Sequence, residues 1–483
     1  MLVNHNPFTY ALVVAGKYLV GYVGLGCFLY FVVALFVGNI PAISHPFSIT
    51  VEVYGAIEIL WYFIWFLPFK AYLQRPGLSM IPTTRAQRKA LIERLLNHVP
   101  DVRLFIRKWF NDAHLDEVYR DDVKDWLLWA LWGVISDTDI DPDELEEYVC
   151  EAESRSGLTL PRGRAGARPM RLSLDPVKMI HRSLLWYALL GIVDNTATLL
   201  LIFNGFGFWR QPRISFLKVF PFRIMTLFST KESVSPHFSY VYRPHKSNTH
   251  RPIVFCHGIG IGLSTYFYWL RTIPKEIGVL ALEFLPVSGR ICPESVSQED
   301  YVKAMRQILS QQDINDFVFQ PLTAPEVQIA WGAALDPRTA HTVCRRIHWP
   351  EHILWRENLA GKRTTAIVAG RDCVINAGAV AGYMYYGDTK PMTSADLIEL
   401  RKTPRLWTGT AEFELIYLFD RDHGQSLLIP SDVKKITNTV ETYARLDYRS
   451  DKDREENEAF DVHIREEVHA NSKVNEILDS NVV

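Results

Sequence analysis

With 483 residues, 48% of them hydrophobic and 12% aromatic, the chain is long enough for two or three domains and apolar enough to carry a membrane segment. A net charge of −2 provides no global basic field, which argues against a nucleic-acid partner. The six cysteines, Cys27, Cys150, Cys256, Cys292, Cys344 and Cys373, form no CxxC pair; that argues against a disulfide framework or structural zinc and makes a reducing compartment the default.

Tyr18 to Val37 is a charge-free run of twenty residues preceded by Lys17. At 1.5 Å per residue it covers roughly 30 Å, the thickness of the hydrocarbon core, and it is too long and starts too late for a cleaved signal peptide. A second apolar run, Val53 to Phe69, contains Glu58. One carboxyl costs on the order of 2.5–3.5 kcal/mol at the centre of a spanning helix, so spanning and interfacial placements are both open for it. The segment from Gly38 to Glu52 has no Lys or Arg, whereas Lys70, Arg75, Arg85, Arg88 and Lys89 follow the second run. A hairpin with the bulk of the chain on the cytoplasmic side is the arrangement that this bias favours.

Residues 80–150 read as helices, with Trp109, Trp126, Trp129 and Trp132 at intervals suited to core packing. The Asp137, Asp139, Asp141 series fails as a calcium loop, because Pro142 stands at its sixth position and Tyr148 at its twelfth. Asp141 followed by Pro142 reads instead as a helix start. Pro161 to Arg171 is a basic Gly/Pro-rich loop without the GK[ST] of a phosphate-binding loop, and is expected to be a solvated linker. Ser183 to Phe203 is a third long apolar run, carrying Asp194, for which a membrane contact and a buried or interfacial helix are equally open.

From Arg251 onward strands alternate with helices: 253–256, 279–286, 316–319, 364–370 and 413–419 are the apolar runs, the pattern of a mainly parallel sheet with covering helices. The first run breaks into His257-Gly258-Ile259-Gly260-Ile261-Gly262, whose glycines let backbone amides approach a ligand closely. The dinucleotide fingerprint does not fit, since Leu263 occupies its last glycine position. The expected organisation is a membrane anchor over residues 1–75, a helical accessory region over 76–245, an α/β domain over 246–446 and a charged, disordered tail over 447–483.

A strand followed by HGIGIG, a later strand ending Gly370-Arg371-Asp372 and another ending Asp422-His423-Gly424 resemble the α/β-hydrolase family. The stretches 174–187, 219–229 and 254–263 resemble, more closely, membrane-anchored fungal α/β-hydrolase-domain proteins. The resemblance implies an α/β-hydrolase-like fold and Ser-His-Asp acyl transfer on an apolar ester or acyl lipid, with the bilayer as partner and no cofactor or metal. It implies that His257, Gly258, Ile259 and Gly260 form the oxyanion loop, with the Ile259 or Gly260 amide as a donor. Asp372 becomes the acid that orients the imidazole, and His423 the general base. The family's nucleophile elbow is missing: after Asp316 to Phe319 the chain runs Gln320-Pro321-Leu322-Thr323-Ala324-Pro325, and no GxSxG occurs anywhere. Ser264 and Ser288 lie near the loop but on no elbow. The elbow, its helix and the next core strand are absent together, for which a truncated gene model or splice form is the simplest account. The polypeptide as written is therefore expected to be inactive, and a non-catalytic membrane scaffold or binding protein is the alternative function. Nothing in the sequence fixes an oligomeric state.

Overall fold

The structure, a computed structural model, describes residues 7–38, 43–77, 83–99, 101–177, 179–321, 337–346, 355–372, 376–387, 392–402, 407–409 and 411–446. The charged tail from 447 onward and the segment 322–336, which follows the strand after which the family's elbow would stand, lie outside the described residues.

The first helix, α1, runs from Pro7 to Val37 and starts earlier than the charge-free run, with Lys17 inside it. The second, α2, is continuous from Pro46 to Leu73 and includes a π turn at Tyr62–Phe66. Both are long and apolar enough to cross a membrane. They cross at glycines: a Cβ on Gly55 would stand 2.5 Å from the Cys27 carbonyl oxygen, and one on Gly24 would stand 2.4 Å from Glu58 Cγ. Small residues at such a crossing let the two backbones approach closely where no hydrophobic effect separates helix from lipid. Glu58, the charge that left the placement of α2 open, is buried. Its carboxylate accepts the Leu184 N–H at 3.0 Å, capping the start of a later helix.

The accessory region packs α3 (Arg85–His98), α4 (Val102–Trp109), α5 (Arg120–Leu127) and α6 (Pro142–Ser156) around one aromatic core. Trp109, Trp126 and Trp129 meet at ring separations of 5.4–6.4 Å, as their spacing suggests, and Trp132 packs against the same core through Tyr148. The Asp141 side chain caps α6 through the Asp143 N–H, with Pro142 at the first turn. The basic loop is exposed over 161–166, and it also caps α5: the Pro161 and Gly163 carbonyls accept the Arg120 and Asp121 N–H groups.

All five expected strands are present, yet they do not form one mainly parallel sheet. Five strands, β1 (Gly207–Trp209), β2 (Ser239–Arg243), β3 (Ile253–Cys256), β4 (Val279–Glu283) and β5 (Val318–Pro321), form a mixed sheet in the order β1-β2-β4-β3-β5. The pairs β1–β2 and β2–β4 are antiparallel, and β3 is parallel to both β4 and β5. Strands β6 (Thr364–Ala369) and β7 (Phe413–Leu418) make a separate parallel pair. The sheet therefore begins upstream of Arg251 with β1 and β2, which belong to the stretch read as helical.

Alternate residues face opposite layers. Ile253, Phe255, Val279 and Ala281 pack against Trp269, Leu270 and Leu201. Val254, Leu280 and Leu282 pack on the other layer against Ala304 and Ile308 of a helix spanning Gln298–Gln311. Here α7 denotes Leu184–Phe203, which lies with Leu201 on the first face, so the two helices cover opposite sides. The helix Pro430–Arg445 joins the two sheets. Its Ala444 carbonyl accepts the Arg251 N–H at 2.7 Å, while Tyr443 OH meets Thr365 Oγ1 of β6 at 2.6 Å.

The far end of α2 is closed by Arg345, whose guanidinium donates to the carbonyls of Leu73, Leu172 and Asp175. A helix C-terminus has unpaired carbonyls, and a guanidinium satisfies them. Beside it His341 stacks on Tyr72 with ring centroids 5.4 Å apart, and Glu294 lies 3.8 Å from its Nε2. Burial, with the cations of Arg338 and Arg345, pushes the His341 imidazole down to about 4.

Two outcomes follow from these contacts. Gly55→Val places atoms inside the contact distance of the Cys27 carbonyl and is expected to destabilise the detergent-solubilised protein by about 1–3 kcal/mol. Gly21→Ala, where nothing lies within 4 Å, should leave the thermal midpoint unchanged. His341 is neutral in the folded protein but titrates near 6.5 when unfolded, so the unfolded chain takes up the proton first as pH falls. Stability is then complete above pH 6.5 and drops by up to about 3 kcal/mol on going to pH 4. Denaturant unfolding across that window should lose most of this slope in His341→Phe.

Candidate functional site

Strand β3 lies at the centre of the parallel part of the sheet. The chain passes from β3 to β4 on one side, then crosses back to β5 on the other. The crevice beyond the C-terminal ends of β3 and β5 is therefore a topological switch point, where open α/β sheets bind ligands. The His257–Gly262 loop leaves β3 at that position.

His257 is buried and holds two loops together: its Nδ1 donates to the Gly258 carbonyl at 2.7 Å, and its Nε2 accepts the Phe284 N–H at 2.9 Å. Burial lowers its pKa, and these two bonds suit the neutral Nδ1–H tautomer. The Gly260 amide, expected as an oxyanion donor, instead donates to the Val287 carbonyl at 3.0 Å. An N–H engaged with a neutral carbonyl must break that bond before it can meet an oxyanion. The Ile259 amide makes no hydrogen bond among the described residues and remains the available donor of the two.

Asp372 and His423 come from segments 51 residues apart, following β6 and β7, and meet at 2.8 Å between Oδ2 and Nδ1. The parallel pairing of β6 with β7, Ala369 opposite Leu418, brings both C-terminal ends to the same edge. The Asp372 side chain is 5% exposed and the His423 imidazole 40%. With Nδ1 directed to the carboxylate, Nε2 is the nitrogen able to accept a proton from a reacting group.

Ser264 and Ser288, the serines beside the glycine loop, are bonded to backbone carbonyls. Ser264 Oγ donates to the Ile261 carbonyl at 2.6 Å, and Ser288, fully buried, donates to the Phe284 carbonyl at 2.8 Å.

Behind the glycine loop lies a group of charges that sequence reading did not bring together. Asp194 of α7 pairs through Oδ2 with Arg223 Nε at 3.3 Å and Arg290 Nη2 at 2.6 Å. Arg223 also forms a two-pronged pair with Glu283, at the end of β4, and donates to Ser239 Oγ at 2.8 Å. All four charged residues are 5% exposed or less. Burial works against both guanidinium charges. It is outweighed at Arg223 by the Glu283 and Asp194 carboxylates, which raise its pKa, and it prevails at Arg290, which is lowered. The signal in the sequence is an Asp inside an apolar run, with Arg223 and Arg290 in loops otherwise rich in apolar residues. The glycine loop seats on this platform through Gly262 (φ +70°), which has Asp194 Oδ1 3.7 Å from where a Cβ would stand, while Gly289 (φ +70°), in the segment after β4, has Trp186 of α7 at 3.1 Å.

No known family model matches the chain, and no curated protein matches it.

Removing one partner leaves a buried charge uncompensated, so Arg223→Met is expected to cost about 3–5 kcal/mol, whereas exposed Arg213→Met should change little. Chemical denaturation of the two variants in detergent checks the difference.

Proposed function

We propose that this chain is a membrane-held protein of the α/β-hydrolase type that keeps the acid–imidazole pair but forms no acyl-serine intermediate. It acts as a hydrolase-like binding or scaffold module for an apolar ester or acyl lipid. The observation that carries this reading is the Asp372–His423 contact at the ends of adjacent parallel strands. A surface ion pair needs no such placement, whereas a general base held in one tautomer does.

Three further features support it. The glycine loop leaves the central strand at a switch point, as an oxyanion loop must. Among the described residues β5, where Phe319 is 52% exposed, is the last strand of the five-stranded sheet, and β6 and β7 pair separately. That interruption falls where the resemblance leaves a strand missing. Finally, no serine occurs between Ser310 and Ser394, the interval that would hold the elbow, and Cys344 within it is buried in a helical segment. The apolar helices α1 and α2 support membrane attachment, and the net charge supports the exclusion of nucleic acid.

Treating the full-length protein in detergent or vesicles with a fluorophosphonate probe tests the reading. No covalent label is expected on the wild type. A labelled serine whose modification disappears in His423→Ala and falls in Asp372→Asn would overturn it in favour of a working serine hydrolase.

A further inference from the structure

The helix α7 satisfies the length and composition of a third span, yet its contacts place it otherwise. Its first turn is bonded into the hairpin: Ser183 Oγ donates to the Val20 carbonyl of α1 at 2.6 Å, and Leu184 N–H donates to Glu58 of α2. Its middle is held to the sheet by Asp194, and its last turn enters the sheet core with Leu201. A helix fastened to the α/β core from its midpoint onward cannot cross a bilayer alone without drawing that core in with it.

One side of α7 still faces outward and is apolar, with Ile192 63% and Leu199 45% exposed. Asn195 lies three residues after Ile192 and four before Leu199, so all three share a face. Its side chain donates to the Phe222 carbonyl at 3.0 Å and accepts the Ile224 N–H at 2.9 Å. The outward face of α7 thus continues into the 222–228 segment, which exposes Phe222, Ile224 and Phe228. In the neighbouring 3₁₀ turn, Arg213–Lys218, the i,i+3 pair Ile214 and Leu217 stacks on one side, with exposed Arg213 and Lys218 at the two ends. An apolar face of this extent in water would be an association hazard. It begins at the membrane hairpin and is edged by cations, the composition of a surface that lies in a headgroup region.

We propose that α7 and residues 213–228 form a docking face that sinks into the leaflet beside the hairpin, with Arg213 and Lys218 at anionic headgroups. The helix α7 is then an interfacial helix whose Asp194 turns toward the protein. The His257–Gly262 loop, packed on α7 through Gly262, sits within about one helix diameter, ~10 Å, of the acyl region. This inference stands independently of whether the Asp372–His423 pair is catalytic.

The test uses the full-length protein in phosphatidylcholine vesicles with and without phosphatidylserine. Benzoylphenylalanine is placed singly at Leu217 or Phe228, at Lys303 or Arg306 on the opposite sheet face, and at Leu19 of α1. After irradiation, lipid adducts are expected at 217, 228 and 19 and not at 303 or 306. Lipid adducts at 19 without any at 217 and 228 would overturn the proposal, as would adducts at 217 and 228 to a second copy of the chain. The double variant Arg213→Glu, Lys218→Glu should lose adduct yield at 217 in the phosphatidylserine vesicles and retain it at 19; unchanged yield at 217 would overturn the assignment of the two cations to headgroups.

Discussion

Two carboxylates and two guanidinium groups, withdrawn together from water, fix how the apolar part of this protein meets its sheet. Asp194, Arg223, Glu283 and Arg290 balance in charge, and each comes from a different place: α7, the segment after Phe220, the end of β4 and the loop beyond Ser288. Desolvating four charges is expensive, so the cluster adds little net stability over a well-packed apolar core of the same volume. Its effect lies in specificity. Any arrangement that slides α7 along the sheet strands a charge without its partner, at a cost that apolar contacts on a smooth helix would not impose. An apolar helix docked by leucines alone could slip by a turn; one docked by Asp194 cannot.

The glycine loop depends on that fixed platform. Gly262 and Gly289 adopt positive φ, Gly262 in contact with the Asp194–Ser288 group and Gly289 where a side chain would press on Trp186. His257 then ties the loop to the next strand through the Phe284 N–H. A neutral imidazole does this without adding a fifth buried charge. The same constraint explains why the loop's amides are not all available: Gly260 is held by Val287, so the loop is fastened to the β4 exit as well as shaped by its glycines.

Much of this was legible in the sequence, and the reasons differ by element. The core strands of 253–256 and 279–283 are short uninterrupted apolar runs, which a strand buried on both faces requires. The Asp141-Pro142 helix start and the tryptophan core followed from local chemistry alone. Strands β1 and β2 were not legible. Gly207–Trp209 has three residues, too few for an alternation, and Ser239–Arg243 is buried throughout despite its polar ends because Ser239 and Arg243 are bonded inside. The Asp372–His423 pair could be anticipated only through resemblance, since its members are 51 residues apart. The buried charge cluster spans still greater distances and has no local periodicity to betray it. Which amides of the glycine loop are already engaged depends on Val287, a residue that no motif includes.

How the two halves of the α/β region stay in register is the remaining physical question, and one helix answers it. A two-stranded pair such as β6–β7 is too small to be stable alone and must bury a face against something else. Among the described residues no strand connects it to β5. The helix Pro430–Arg445 supplies the link, placing Val433, Ile436 and Val440 in the core that contains Ile253 and Phe255, and partly covering Ile367 of β6. Its polar contacts run both ways, from Thr437 to Thr272 on one side and from Tyr443 to Thr365 on the other. The acid–imidazole pair is therefore positioned relative to the glycine loop through helix packing rather than through a continuous ladder of strands. A ladder fixes neighbouring strand ends by hydrogen bonds at every second residue, whereas a packed helix holds them by side chains at every third or fourth. The pair is locally rigid, because two adjacent strands and a direct hydrogen bond define it. Its distance from the loop is set by a longer chain of contacts, from β6 through Tyr443 and the Pro430–Arg445 helix to the core around Ile253 and Phe255.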